Sequence, residues 1–105
     1  MLKIGTKVKD FSLKDAYGNS HHLSDYIHQT VVIYFYPKDN TAGCTRQACA
    51  FRDLDDVYIE RNIKVIGISK DSPQSHLSFI EKEDLPFLLL SDESLDVIKM
   101  FGVWV

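Results

Sequence analysis

Three short apolar runs, Val31 to Tyr36, Lys64 to Ser69 and Phe87 to Leu90, alternate with stretches whose apolar residues recur every three or four positions. This alternation limits the fold more than any other feature of the chain. Val31-Val32-Ile33-Tyr34-Phe35-Tyr36 is apolar on both phases of a two-residue repeat and rich in β-branched and aromatic side chains. That suits a strand covered on both faces and central in a sheet. Pro37 cannot donate to a strand ladder, so the strand is expected to stop there and Lys38 to Gly43 to form a loop. A helix is predicted from about Ala42 to Asn62, with Ala48, Phe51, Leu54 or Asp55, and Tyr58 on its apolar side against Arg46, Asp53 and Glu60. Ser72-Pro73 reads as the start of a helix carrying Leu77 and Ile80 on one face. Ser91 or Asp92 reads as the cap of a last short helix with Leu95, Ile98 and Phe101. From Val31 onward the order is β-α-β-α-β-α, which builds right-handed crossovers and a central, mostly parallel sheet flanked by helices. Upstream, Lys9 to Leu23 alternates around Phe11 and Leu13 and reaches Ala16-Tyr17-Gly18-Asn19-Ser20, where Gly and Asn are expected to supply the positive φ of an N-terminal β-hairpin.

The 105 residues contain no internal repeat, low-complexity tract or linker, so one α/β domain over 1–105 is expected. A chain 45% hydrophobic and 26% charged is not mainly disordered. Twelve basic against 15 acidic residues, net charge −3, with no basic block, give no electrostatic footprint for nucleic acid. No run approaches the length of a membrane span, and MLKIGTKVKD lacks a signal-type apolar stretch, so a cytoplasmic protein without membrane partners is expected. Phe101-Gly102-Val103-Trp104-Val105 stops on apolar residues as if another strand were about to begin. A chain lacking its C-terminal strands and helix, or one abutting a partner there, is the expectation.

Cys44 and Cys49 are too few for a disulfide-stapled scaffold and read as chemistry or as packing. With Thr41 as cap, Cys44 is the third residue of the first helix, beside unpaired backbone N–H groups and the positive end of the helix dipole. Lys38 and Arg46 add cationic charge, and all three features favour a thiolate. Ionisation alone goes only so far. A free thiol is about 3% ionised at neutral pH, so complete ionisation gains about 30-fold and any larger acceleration must come from groups that stabilise the transition state. A buried helical cysteine is ordinarily just a small hydrophobe; the loop position, the Thr41 hydroxyl and the flanking charges argue for chemistry instead. Five residues along an α-helix advance about 7.5 Å and turn about 140°, which puts the two Cα atoms about 8.6 Å apart with diverging side chains. A disulfide tolerates about 7 Å. If the cysteines bond, the helix between them must unwind; if they do not, Cys49 is simply a helix residue. Their spacing is not Cys-x-x-Cys, and two cysteines fall short of a structural zinc site.

Pro37-x-x-x-Thr41-x-x-Cys44 within YFYPKDNTAGCTRQACAFRD closely resembles the active-site signature of the peroxiredoxins. The spacing to Cys49 is similar to that of their bacterioferritin-comigratory, or Q-type, subgroup. The likeness runs on through VIGISKDSPQSHLSF, LPFLLLSDES and FGVW. It implies a thioredoxin-like fold and reduction of hydrogen peroxide and organic hydroperoxides, with no metal or organic cofactor. Cys44 corresponds to the peroxidatic cysteine and Cys49 to the resolving one. Thr41 corresponds to the residue that orients the peroxide and hydrogen-bonds the thiolate, and Pro37 to the one that shields the thiol from water; Thr41, Gly43 and Cys44 make up the implied substrate-binding set. The implied reductant is thioredoxin or a similar dithiol. The subgroup tilts toward a monomer, whereas the apolar terminus argues for a weak dimer. Three positions depart from the pattern: Ala42 stands where Pro is usual, Gln47 where Glu is more common, and an arginine from a later strand has no counterpart, since Arg46, Arg52 and Arg61 lie in or next to the first helix. Weak or no activity of this length of chain alone is therefore expected.

A thiol redox sensor or partner-binding module, using the Cys44/Cys49 switch, is the alternative from another class, and an inactive fragment is a third. His21, His22, His28 and His76 are read as solvated loop residues without a third metal ligand at ordinary spacing. Asp53-Leu54-Asp55-Asp56 is read as an exposed helix face, Phe101 and Trp104 as core, and Tyr34 and Tyr36 as part of the buried strand.

Overall fold

The computed structural model describes residues 1–104; Val105, the end of the terminal apolar run, lies outside them. Strands β1 (Ser12–Asp15) and β2 (Ser20–His22) pair antiparallel as the expected hairpin, Leu13 opposite His21. Gly18 alone takes the positive φ, at 84°. Asn19 does not, because the Asp15 carboxylate shapes the turn: its Oδ1 accepts from the amides of Tyr17 and Asn19, both at 2.9 Å. A 3-10 turn, Leu23–Tyr26, leads to β3 (Thr30–Phe35).

β3 runs parallel to β4 (Ile63–Ser69), and β4 runs parallel to β5 (Leu88–Ser91), which pairs antiparallel with β1. The sheet order is β2-β1-β5-β4-β3, so among the described residues β3 is an edge strand and not central. The sequence pattern reported coverage of the faces, which is real, and says nothing about lateral pairing. On one face Tyr34 and Tyr36 join Val65, Phe79, Phe87 and Leu89; on the other, Val31, Ile33 and Phe35 lie against Ile66, Ile68, Leu90 and Ile98. Gly67 lies under the first of these layers. A Cβ there would stand 2.7 Å from Leu89 Cδ2 and 2.8 Å from Tyr34 Cζ, so only glycine lets the Tyr34 ring cross the sheet.

The expected Ala42–Asn62 helix is two helices, α1 (Ala42–Asp53) and α2 (Asp55–Glu60), broken at Leu54 with φ −105° and ψ 11°. Asp55 and Asp56 occupy the first turn of α2, where carboxylates favour a new helix start over continuation of an old one. Leu54 is half exposed and forms no part of the apolar face. Helix α3 (Pro73–Glu83) begins as expected, with Ser72 Oγ accepting from the Ser75 amide at 3.2 Å. Its buried residues are His76 and Phe79, flanked by the partly buried Leu77 and Ile80. Helix α4 (Asp96–Met100) is preceded by Leu95 in the left-handed region, φ 69°. Asp92 still contributes, because its Oδ2 accepts from the Ile98 amide at 2.7 Å. Phe101 packs beside Phe11 and Phe35, but Trp104 is 46% exposed and is not core. It lines a cavity of about 260 Å³ with Phe35, Tyr36, Pro37 and Ile98, and Lys70 Nζ stands 5.6 Å from its ring centroid. No helix of the described residues is long and apolar enough to cross a membrane.

Candidate active site

The loop from Pro37 to Thr41 leaves the carboxyl end of β3 and feeds the N-terminus of α1, the position where open α/β sheets gather their chemistry. Thr41 is the N-cap residue in extended backbone, and Cys44 is the third residue of α1, as its spacing predicts. The first turn of a helix has no carbonyl to receive its amides, so those of Ala42 to Cys44 have no intrahelical partner, while the Thr45 amide closes the first turn onto Thr41 O at 2.8 Å. Cys44 is 8% exposed and packs in the cluster that contains Tyr34, Tyr36 and Ala48. A buried sulfur in the first turn of a helix combines restricted access with a place at the positive end of the helix dipole.

The surroundings differ from the sequence reading at several points. Arg46 is exposed and, two residues on, lies about 200° round the helix from Cys44, so it does not face the sulfur. Lys38 is also exposed. The Thr41 hydroxyl does not cap α1; its Oγ1 donates to Lys38 O at 3.2 Å, with the oxygen lone pairs left to accept. Pro37 and Gly43 are exposed, and no atom lies within 4 Å of where a Gly43 Cβ would be. Arg52 is held away, its Nη1 donating to Glu83 O at 2.6 Å and its Nε to Asp53.

Cys49 lies on the same uninterrupted helix, and both cysteines are free thiols. The Cys49 thiol donates to Glu83 Oε2 on α3 at 3.6 Å. Burial first, and then the neighbouring Glu83 carboxylate, push this thiol above its ordinary range, against an opposing pull from Arg52. The helical geometry turns the two sulfurs apart, so any bond between them needs α1 to open.

Beneath the loop lies a polar cluster that the sequence reading missed. Asp39, between Pro37 and Thr41, is 5% exposed and His76 is fully buried, with Nδ1 2.7 Å from Asp39 Oδ2 and Nε2 3.0 Å from Leu90 O. The Tyr36 hydroxyl donates to Asp39 Oδ1 at 2.6 Å and the Ser75 hydroxyl to Oδ2 at 2.8 Å. Burial works to raise the Asp39 carboxyl, but His76 and the Tyr36 and Ser75 hydroxyls outweigh it and hold the group below the usual carboxylate range. Burial and the same Asp39 carboxylate push the Tyr36 phenol far up. Removing one partner leaves the other buried and unsatisfied, at a cost of about 1–3 kcal/mol. His76 shares helical spacing with Phe79, Ile80 and Glu83, a signal for its burial that gives no sign of its Asp39 partner. His21 is likewise no solvated loop residue, since it sits on β2 with Nδ1 2.7 Å from Tyr26 OH and Nε2 2.7 Å from Asp15 Oδ2. His22 is also on β2, half exposed, and His28 is exposed. Asp39, Asp71 and His76 offer ligand atoms within 4.8 Å of one another, but these atoms are already engaged in the hydrogen bonds of the cluster.

A parallel βαβαβ core extended by an antiparallel hairpin, with a cysteine at the N-terminus of its first helix, is of thioredoxin-like type, as the superpositions below bear out. The family model described as the AhpC/TSA family matches residues 4–105, and the chain belongs to that family. It is 46% identical to peroxiredoxin Bcp of Bacillus subtilis (strain 168) over 103 residues, which is 98% of this chain and 66% of that protein. The solved structure of peroxidoxin BcpB from Mycobacterium tuberculosis superposes with a TM-score of 0.94 at 38% identity, covering 97% of this chain and 67% of that one. The bacterioferritin comigratory protein of Xanthomonas campestris, studied for alkyl peroxide reduction, superposes with a TM-score of 0.86 at 33% identity, covering 89% and 59%. The chain thus spans slightly less than two thirds of the length of the first of these relatives.

Proposed function

We propose that residues 1–105 form the cysteine-bearing domain of a thiol peroxidase that reduces hydrogen peroxide and organic hydroperoxides. The observation that carries this reading is Cys44, buried at the third position of α1 behind a loop that matches the family signature. The Cys44 thiolate attacks one peroxide oxygen, the O–O bond breaks, and the departing oxygen takes a proton to leave as water or alcohol. Cys44 becomes a sulfenic acid. Cys49, released from Glu83 as α1 opens, attacks the sulfenic sulfur as thiolate, forming the S–S bond and expelling the hydroxyl as water. A dithiol such as thioredoxin then reduces the disulfide and is itself oxidised. In this scheme Thr41 accepts from and orients the peroxide with Gly43 beside it, and Pro37 limits access of water. A reducing compartment such as the cytoplasm and a monomer or weak dimer are the setting and assembly proposed. Stopped-flow reaction with H2O2 tests the reading. Cys44→Ser should abolish turnover and Cys49→Ser should stop it at the sulfenic acid. Failure of H2O2 to oxidise Cys44, in the wild type and in Cys49→Ser alike, would overturn it.

A further inference from the structure

The exposed loop ahead of Cys44 has one buried anchor, and we propose that His76 is a positioning residue for Cys44, acting through Asp39. Its catalytic consequence rests on the peroxidase reading above. Pro37, Lys38, Asn40 and Thr41 are exposed, whereas Asp39 between them is buried. Asp39 is tied to the end of β3 by Tyr36, to the first turn of α3 by Ser75 and His76, and through His76 Nε2 to Leu90 O on β5. Its amide donates to Asp71 Oδ2 at 2.8 Å, and Ser69 Oγ donates to the same oxygen at 2.7 Å. Three elements of the sheet and helix layers therefore meet on one side chain, two residues before Thr41.

Asn40, next to this anchor, adopts a left-handed φ of 63°, so the chain turns sharply between the fixed Asp39 and the start of α1. When α1 opens to bring Cys44 and Cys49 together, the segment beyond the turn moves while Asp39 stays pinned. The pin keeps Thr41 registered against the incoming peroxide and returns Cys44 to the same place when the helix reforms. His76 is suited to this because both of its ring nitrogens face acceptors, so the ring spans from β5 to the loop and fixes both ends.

The test compares His76→Leu, His76→Asn and Tyr36→Phe with Val97→Ala, which opens the core on the opposite face of the sheet. Asn places an amide nitrogen where Nδ1 of histidine sits and can still donate to Asp39. Two quantities are read: amide hydrogen exchange at residues 39 to 45, and the ratio of the Cys44 rate constant for H2O2 to that for iodoacetamide. In His76→Leu the exchange should rise and the ratio fall by about tenfold or more, His76→Asn should recover most of both, and Val97→Ala should move neither selectively. Tyr36→Phe, which removes one hydroxyl and leaves the Asp39–His76 hydrogen bond, should move both in the same direction by less. Equal losses in His76→Leu and His76→Asn, or exchange in the loop no faster than in Val97→Ala, would overturn the proposal. If His76→Leu does not fold, Tyr36→Phe and His76→Asn decide, and no selective change in either overturns it. If H2O2 does not oxidise wild-type Cys44 at all, the peroxidase reading fails by itself and the exchange comparison decides the positioning role.

Discussion

The thiol of Cys49 is held by the carboxylate of Glu83, 3.6 Å away across the gap between α1 and α3. Cys49 is therefore stored as a protonated hydrogen-bond donor while the helix is intact, and it becomes a good nucleophile only after release. Glu83→Gln removes the charge that opposes the thiolate. In a Cys44→Ser background, the pH profile of Cys49 alkylation by iodoacetamide should shift toward lower pH in Glu83→Gln. The sign follows from a folded value raised above the ordinary thiol range by burial and by Glu83, the second of which is taken away. No shift, or a shift upward, would mean that Glu83 does not restrain this sulfur.

Gly67 should resist every substitution. The 2.7 Å and 2.8 Å approaches to Leu89 and Tyr34 involve a core residue at 1% exposure and a ring stacked 4.6 Å from Phe51, neither free to move aside. Gly67→Ala should cost about 1–3 kcal/mol, lowering Tm by about 4–8 °C for each kcal/mol. Thermal unfolding followed by circular dichroism checks this, and an unchanged Tm would contradict the packing described.

Acid should loosen the molecule through two buried carboxylates. Asp39 and Asp15 both have folded values below the ordinary 3.8, each against the opposing effect of burial, because His76 and Tyr36 support the first and His21 and two amides the second. Groups lowered on folding add stability that is complete above the unfolded value and is lost as pH falls through the folded one. The urea midpoint should therefore hold between about pH 7 and 5 and fall steeply below about pH 4. Asp39→Asn should lower the midpoint at neutral pH and flatten the acid slope; a parallel fall in both proteins would contradict this account.

The cap of α3 offers a local control. Ser72→Ala removes the acceptor of the Ser75 amide and should cost about 1 kcal/mol in urea unfolding without changing the reactivity of Cys44. A loss of reactivity would show that α3 is coupled to the loop more broadly than through the Ser75 and His76 side chains.

Those elements whose identity depends on local chemistry were readable in the chain itself. The Ser72-Pro73 start and the hairpin around Gly18 follow from side chains acting on their own backbone, and the third-residue position of Cys44 follows from counting on from Thr41 as the cap residue. What depends on lateral or long-range partners was not. The apolar run Val31 to Tyr36 reports two covered faces but carries no information on which strand lies beside it, so the edge position of β3 was missed. Asp39 and His76 are 37 residues apart, and neither is unusual until the fold brings them to 2.7 Å. Arg46 is close to Cys44 in sequence, yet helical rotation points it into solvent.

The central claim is that peroxide joins two cysteines which an intact α1 holds apart, and it can be tested in one sample. After one equivalent of H2O2, intact mass and peptide mapping should find the chain lighter by two hydrogens with Cys44 bonded to Cys49, accompanied by a loss of helical circular dichroism that a dithiol reverses. A chain that instead gains oxygen on Cys44 with its helix signal unchanged, or that does not react there, would contradict the account.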